Sequence, residues 1–111
     1  MEPRPDPVDQ AKSSALKAVD AGVDGLIVEG GEGGGFKNPD DVSTLVLLQA
    51  VREKTDVPII AAGGICDGVS MAAALALGAD GVQMGSRFAA SIESSAHIEF
   101  KKTILDTQEG E

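Results

Sequence analysis

Three short apolar runs, each closed by glycine, constrain this chain more than any other feature. Leu26-Ile27-Val28 leads into a glycine-rich segment at 30–35. Residues 57–62 end in Gly63-Gly64, and residues 81–84 end in Gly85. A continuous apolar run without polar alternation suits a strand buried on both faces, as in a parallel sheet. Between the runs, apolar residues fall at helical spacing. Ala11, Ala15, Leu16 and Val19 share one face. Val42, Leu45, Val46, Leu48 and Val51 mark a second helix, expected from Asp40 or Asp41 to about Lys54. A third is expected over 69–77, and a last over 94–107 with Ile98, Lys101, Ile104 and Leu105 on one side.

Gly22 and Gly78 stand where helices should stop, because the residue after a helix often takes a left-handed conformation that glycine tolerates. Each is followed two residues later by Asp-Gly and then a strand, giving a weak internal repeat. The Pro-rich residues 1–7 read as an extended lead-in. The order is therefore α-β-α-β-α-β-α, an α/β chain with right-handed crossovers and three parallel strands. Such a sheet has two open edges. A closed (β/α)8 barrel takes about 250 residues, and this chain has 111. It pairs with more chain, pairs with itself, or is a piece of something larger.

Charge narrows the partners. The formal net charge is −9, which argues against a nucleic-acid backbone or an anionic membrane surface. The lone cysteine, Cys66, permits no intramolecular disulfide, and the chain reads as cytoplasmic. One His and one Cys are too few for a zinc site.

All three glycine clusters follow strands, and ligands bind α/β folds at that face. Glycine admits a ligand close to the backbone and leaves N–H donors uncovered. The cluster at 30–35 lacks the Gly-Lys-Ser/Thr of a nucleotide-binding P-loop. It also lacks the immediate helix of a dinucleotide fingerprint. Gly63 and Gly64, then Gly85 and Ser86, lie in consecutive βα units, and paired loops of this kind form phosphate sites in barrels. Arg87 faces a phosphate or pairs with an acid at the rim. Glu32 is a general base or a solvated carboxylate. Cys66 reads as a packing residue, and His97, remote from the loops, as a helix-face or capping residue.

Several ordered segments resemble the nitronate monooxygenase family. They are Ala-Val-Asp-Ala-Gly-Val-Asp-Gly-Leu-Ile, Gly-Gly-Glu-Gly-Gly-Gly and Val-Pro-Ile-Ile-Ala-Ala-Gly-Gly-Ile, then Ala-Ala-Ala-Leu-Ala-Leu-Gly-Ala-Asp-Gly-Val-Gln-Met-Gly-Ser-Arg-Phe and Glu-Ser-Ser-Ala-His. Flavin-dependent enoyl-acyl-carrier-protein reductases share the framework. The resemblance spans roughly residues 10–105. It implies a partial TIM (β/α)8 barrel, with residues 8–111 as the C-terminal half, and an FMN-dependent oxidoreductase acting on a small molecule. It places Gly35 by the flavin ring, and Gly63, Gly64, Met84, Gly85 and Ser86 at the FMN phosphate. The family's usual proton-abstracting His is replaced here by Phe36, which cannot accept a proton. The barrel then needs more chain, a second chain or self-association to close. The alternative expectation is a non-catalytic half-barrel that binds flavin only with a partner.

Overall fold

The structure, a computed structural model, describes residues 6–34 and 42–108. The elements are α1 (Pro7–Asp20), β1 (Leu26–Glu29), α2 (Thr44–Arg52), β2 (Ile59–Ala62), α3 (Gly68–Ala76), β3 (Gly81–Gln83), α4 (Ser86–Ala89) and α5 (Ile98–Asp106). The strands form one parallel sheet in the order β1-β2-β3. The expected alternation is therefore present, with α4 added.

Helix ends follow their local chemistry. The Asp6 carboxylate accepts the Val8 N–H at 2.8 Å, and Pro7 takes the first helical position, where its missing N–H costs nothing. That draws Pro7 out of the expected lead-in and into α1. Gly22 (φ 96°) and Gly78 (φ 108°) stop α1 and α3. Both ends carry the same paired bonds: Gly22 N–H to Val19 O with Val23 N–H to Ala18 O, and Gly78 N–H to Leu75 O with Ala79 N–H to Ala74 O. The repeat is thus one helix-stop motif used twice.

Two helices begin later than their periodicity suggests. Val42 and Ser43 are not helical, so α2 starts at Thr44. The expected start at Asp40 or Asp41 lies outside the described residues. The last helix starts at Ile98 rather than 94, with the His97 ring accepting the Glu99 N–H at 3.1 Å as its cap. Ahead of it, the Ser94 hydroxyl accepts the Ala96 N–H and Ser94 O accepts from Lys101. These bonds hold the Ser-Ser segment out of the helix.

The strands are buried mainly on one face. Val28, Ile59 and Ala61 turn toward α1, α2 and α3 and are at most 4% exposed. With Leu47, Leu48, Val51 and Ala74 they make the core. On the opposite face Ile27 is 60% exposed and Ile60 39%. The apolar run reads as doubly buried because its inner residues are as hydrophobic as its outer ones. Ala62, next along the Ile60 face, is 4% exposed, so the bare part of the inner side is at Ile27 and Ile60.

Arg52 joins the base of the fold. Its guanidinium donates to Gly78 O and Asp80 Oδ2, both at 3.2 Å, to Val57 O at 2.9 Å, and to Thr55 O. Asp80 in turn accepts the Ile59 N–H at 2.9 Å. One planar fork thus connects α2, β2 and the turn before β3. Replacing Arg52 with Ala leaves these acceptors without their donor and should cost about 2–3 kcal/mol. Arg52→Lys should recover less than half of that, because an ammonium lacks the fork. Urea midpoints of the three proteins check this.

Candidate functional site

The C-terminal ends of the three strands open onto one cavity of about 630 Å³. Glu29, Glu32, Gly33 and Gly34 line it from the β1 loop. Gly63, Gly64 and Cys66 line it from the β2 loop, and Gln83, Gly85, Ser86 and Arg87 from β3 and its loop. The two predicted phosphate loops therefore face the same space. Met84 packs its side chain against the core. Gly35 and Phe36 lie outside the described residues.

Gly63 and Gly64 both have positive φ, 99° and 73°, a conformation costly for residues with a Cβ. Packing leaves little room for a side chain as well. A Cβ on Gly63 would lie 2.8 Å from Thr44 Oγ1 and 3.0 Å from the Gly33 nitrogen, and one on Gly64 would lie 3.0 Å from Glu32 Cβ. Gly85 has open space where a Cβ would be. The N–H groups of Gly63, Gly64, Gly85 and Ser86 have no hydrogen-bond acceptor among the described residues. Backbone donors rarely stay unpaired unless water or a ligand takes them.

The glycine-rich β1 loop is bound at both ends. Gly30 N–H donates to Ala62 O at 3.3 Å, Gly31 N–H to Val42 O at 2.7 Å and Gly33 N–H to Gly30 O at 3.0 Å. Gly30 must be glycine, because a Cβ there would lie 2.2 Å from the Thr44 nitrogen.

Glu32 is neither a solvated carboxylate nor a well-placed base. Its Oε2 accepts the Thr44 N–H at 2.8 Å, and the Thr44 hydroxyl lies against the same oxygen. It caps α2 in place of the Ser43 side chain, which makes no capping bond. Partial burial pulls its pKa up. The bonds from the Thr44 hydroxyl and N–H, and from its own N–H, outweigh that and hold it below the ordinary value. A carboxylate stabilised in its ionised form accepts protons poorly.

Arg87 spans two loops, donating from Nε to Cys66 O at 2.7 Å. Of the two expected partners for Arg87, an acid at the rim is close by, but the direct bond goes to backbone. The neighbouring Asp67 caps α3, accepting the Ser70 N–H at 2.8 Å. Its pKa is lowered by the Ser70 N–H first, then the Ser70 hydroxyl, with a smaller pull from Arg87. Cys66 is exposed at the cavity, so it is not the packing residue the sequence suggested. His97 caps α5.

The residue that sequence reasoning missed is Thr44. At 2% exposed it is the one buried polar side chain among the described residues. Its hydroxyl lies 3.0 Å from Ala62 O and 2.9 Å from Gly63 O as well as against Glu32. The available signal was Ser43-Thr44 just before the apolar helix face, a common helix start. The periodicity placed that start earlier.

Residues 8–111 match the family model described as nitronate monooxygenase. The chain belongs to this family. Over 95 residues it is 49% identical to the (3aS,4S,5R,7aS)-5-hydroxy-7a-methyl-1-oxo-octahydro-1H-indene-4-carboxyl-CoA dehydrogenase of Rhodococcus jostii (strain RHA1), covering 86% of this chain and 26% of that protein. Over 103 residues it is 37% identical to a probable nitronate monooxygenase of Staphylococcus aureus (strain Newman), covering 86% and 29%. Among solved structures it matches FabK from Thermotoga maritima, with a TM-score of 0.82, 47% identity and coverage of 87% and 30%. It also matches nitroalkane oxidase from Streptomyces ansochromogenes, with a TM-score of 0.75, 39% identity and coverage of 83% and 29%. The fold is thus part of a TIM barrel, and the chain spans less than a third of each of these relatives. Among the described residues no helix is long and apolar enough to cross a membrane.

Glu32's lowered pKa links its bonds to pH. A depressed carboxylate stabilises the fold above its unfolded pKa, near 4.5, and that contribution is lost as pH falls through the lower folded value. Glu32→Gln should lower stability at neutral pH by about 1 kcal/mol, moderated by solvent screening. The gap from wild type should shrink once both carboxyl forms are neutral. Urea melts of the pair at pH 7 and near pH 3 read it, and a gap unchanged between the two would contradict the capping role.

Proposed function

We propose that this chain is the FMN-phosphate-holding part of an FMN-dependent oxidoreductase of the nitronate monooxygenase type. The observation that carries this is that Gly63, Gly64, Gly85 and Ser86, whose N–H groups have no acceptor among the described residues, all line one cavity. Backbone N–H groups and a serine hydroxyl are the donors a phosphate monoester takes, without needing a net positive protein. The cavity volume lies within the range of small-molecule and cofactor sites, about 300–1,000 Å³. The residues present therefore fit the phosphate end of FMN.

Gly63 and Gly64 would hold that phosphate from the β2 loop. Gly85 and Ser86 would hold it from the β3 loop, with the Met84 backbone beside them. Gly35 would lie by the ring. The bound flavin would supply the electron-accepting and electron-donating chemistry. Arg87 keeps the two phosphate loops in register through Cys66 O, and its charge partly offsets the cavity carboxylates. Phe36 stands where the family carries its proton acceptor, so this chain brings no base at that position. Chemistry on a small-molecule substrate then depends on residues contributed from elsewhere in a completed barrel. We place the protein in the cytoplasm.

A second reading is favoured by the bare inner face of the sheet, where Ile27 is 60% exposed. The chain would be a non-catalytic half-barrel unit that takes flavin only when further strands, from more chain, a second chain or self-association, cover that face. FMN titration followed by flavin fluorescence separates the readings. Saturable quenching by the chain alone supports the first. Quenching only after adding a polypeptide that carries the remaining strands supports the second. No saturation in either case at high micromolar FMN contradicts both. Gly63→Ala introduces strain at φ 99° and a contact with Thr44, and should weaken FMN binding about tenfold or more.

A further inference from the structure

Thr44 carries a buried side chain at the start of α2, and nothing in the flavin reading gives it a task. Its three oxygen neighbours show what it does. Two are the carbonyls of Ala62 and Gly63, at 3.0 and 2.9 Å. These are consecutive peptide units, and no cis peptide bond occurs among the described residues. In a trans peptide the C=O and the following N–H point in opposite directions. Holding the Ala62 and Gly63 carbonyls against Thr44 therefore turns the N–H groups of Gly63 and Gly64 away from it. These are two of the donors left unpaired at the cavity.

From this we infer that Thr44 is a positioning residue, aiming the Gly63 and Gly64 N–H groups into the cavity by gripping the carbonyls behind them. The inference rests on reading that loop as a phosphate cradle. The hydroxyl has one proton for three oxygens, so Glu32 competes with the two carbonyls for it. A Gln at position 32 would resolve the competition. Its amide N–H donates to Thr44 Oγ1, and the hydroxyl proton passes to the carbonyls. Glycine at 63 belongs to the same device, since a Cβ there would displace the hydroxyl.

The test compares Thr44→Val, which keeps the shape and removes the hydroxyl, with Thr44→Ser, which keeps the hydroxyl. The full chain is titrated with inorganic phosphate, and the amide resonances of Gly63, Gly64, Gly85 and Ser86 are followed. In wild type and Thr44→Ser all four should move with a common dissociation constant. In Thr44→Val the constant should rise about tenfold, with the responses of Gly63 and Gly64 lost and those of Gly85 and Ser86 retained. A merely structural loss would reduce all four together. Glu32→Gln should bind phosphate at least as well as wild type. Wild-type affinity and shifts in Thr44→Val would overturn the proposal.

If Thr44→Val does not fold, the Thr44 hydroxyl proton decides. Protection from exchange that persists in Glu32→Gln, with a nuclear Overhauser contact to the 63–64 loop, supports the grip, and free exchange in that variant refutes it. Phosphate that moves none of the four amides in wild type rejects the cradle reading. The same hydroxyl measurement still judges Thr44 on its own.

Discussion

The backbone groups after β2 cannot be satisfied by the sheet, because the strand has ended and the chain is turning. The structure meets part of that demand from one side only. The Ala62 carbonyl is taken up by Gly30 N–H and approached by Thr44 Oγ1, which also lies against the Gly63 carbonyl. Everything near the site adjusts to this junction. Gly30 and Gly63 are packed too tightly for a Cβ, and Glu32 gives its carboxylate to the helix start beneath the loop. The N–H donors on the other side of the same peptide units have no acceptor among the described residues. Carbonyls turned toward Thr44 behind and unpaired N–H groups in front are two results of one trans peptide geometry.

Much of the fold was legible in the sequence because its signals are local. Gly22 and Gly78 announce helix ends, since a left-handed residue is costly without glycine, and the matched helix stops are in place. The apolar runs name the strands for the same reason. The inner face was not legible. Ile27 and Ile60 are as apolar as Val28 and Ile59, so composition alone cannot say which side is covered. The start of α2 was also obscured, because the apolar period runs through Val42 while the helix waits for Thr44.

The candidate site was legible in outline and not in its wiring. Glycines after strands place Gly63, Gly64, Gly85 and Ser86 around a common cavity, as their positions in consecutive βα units suggested. Glu32 and Thr44 are twelve residues apart in sequence and meet only when the β1 loop folds onto α2. Neither spacing nor composition reports such a contact. Cys66, expected to pack, is held at the cavity rim by a loop whose carbonyl goes to Arg87. Membership of the nitronate monooxygenase family accounts for the paired loops, while the bare sheet face fits a chain that spans less than a third of its relatives.

On the proposed reading, the glycine loops after β2 and β3 hold the phosphate of FMN through backbone N–H groups. Phosphorus-to-nitrogen dipolar recoupling on ¹⁵N-labelled protein with FMN measures this directly. The flavin phosphorus should couple closely to the amide nitrogens of Gly63, Gly64, Gly85 and Ser86 together. Coupling to none of them, or only to nitrogens of the β1 loop at Gly33 and Gly34, would contradict it.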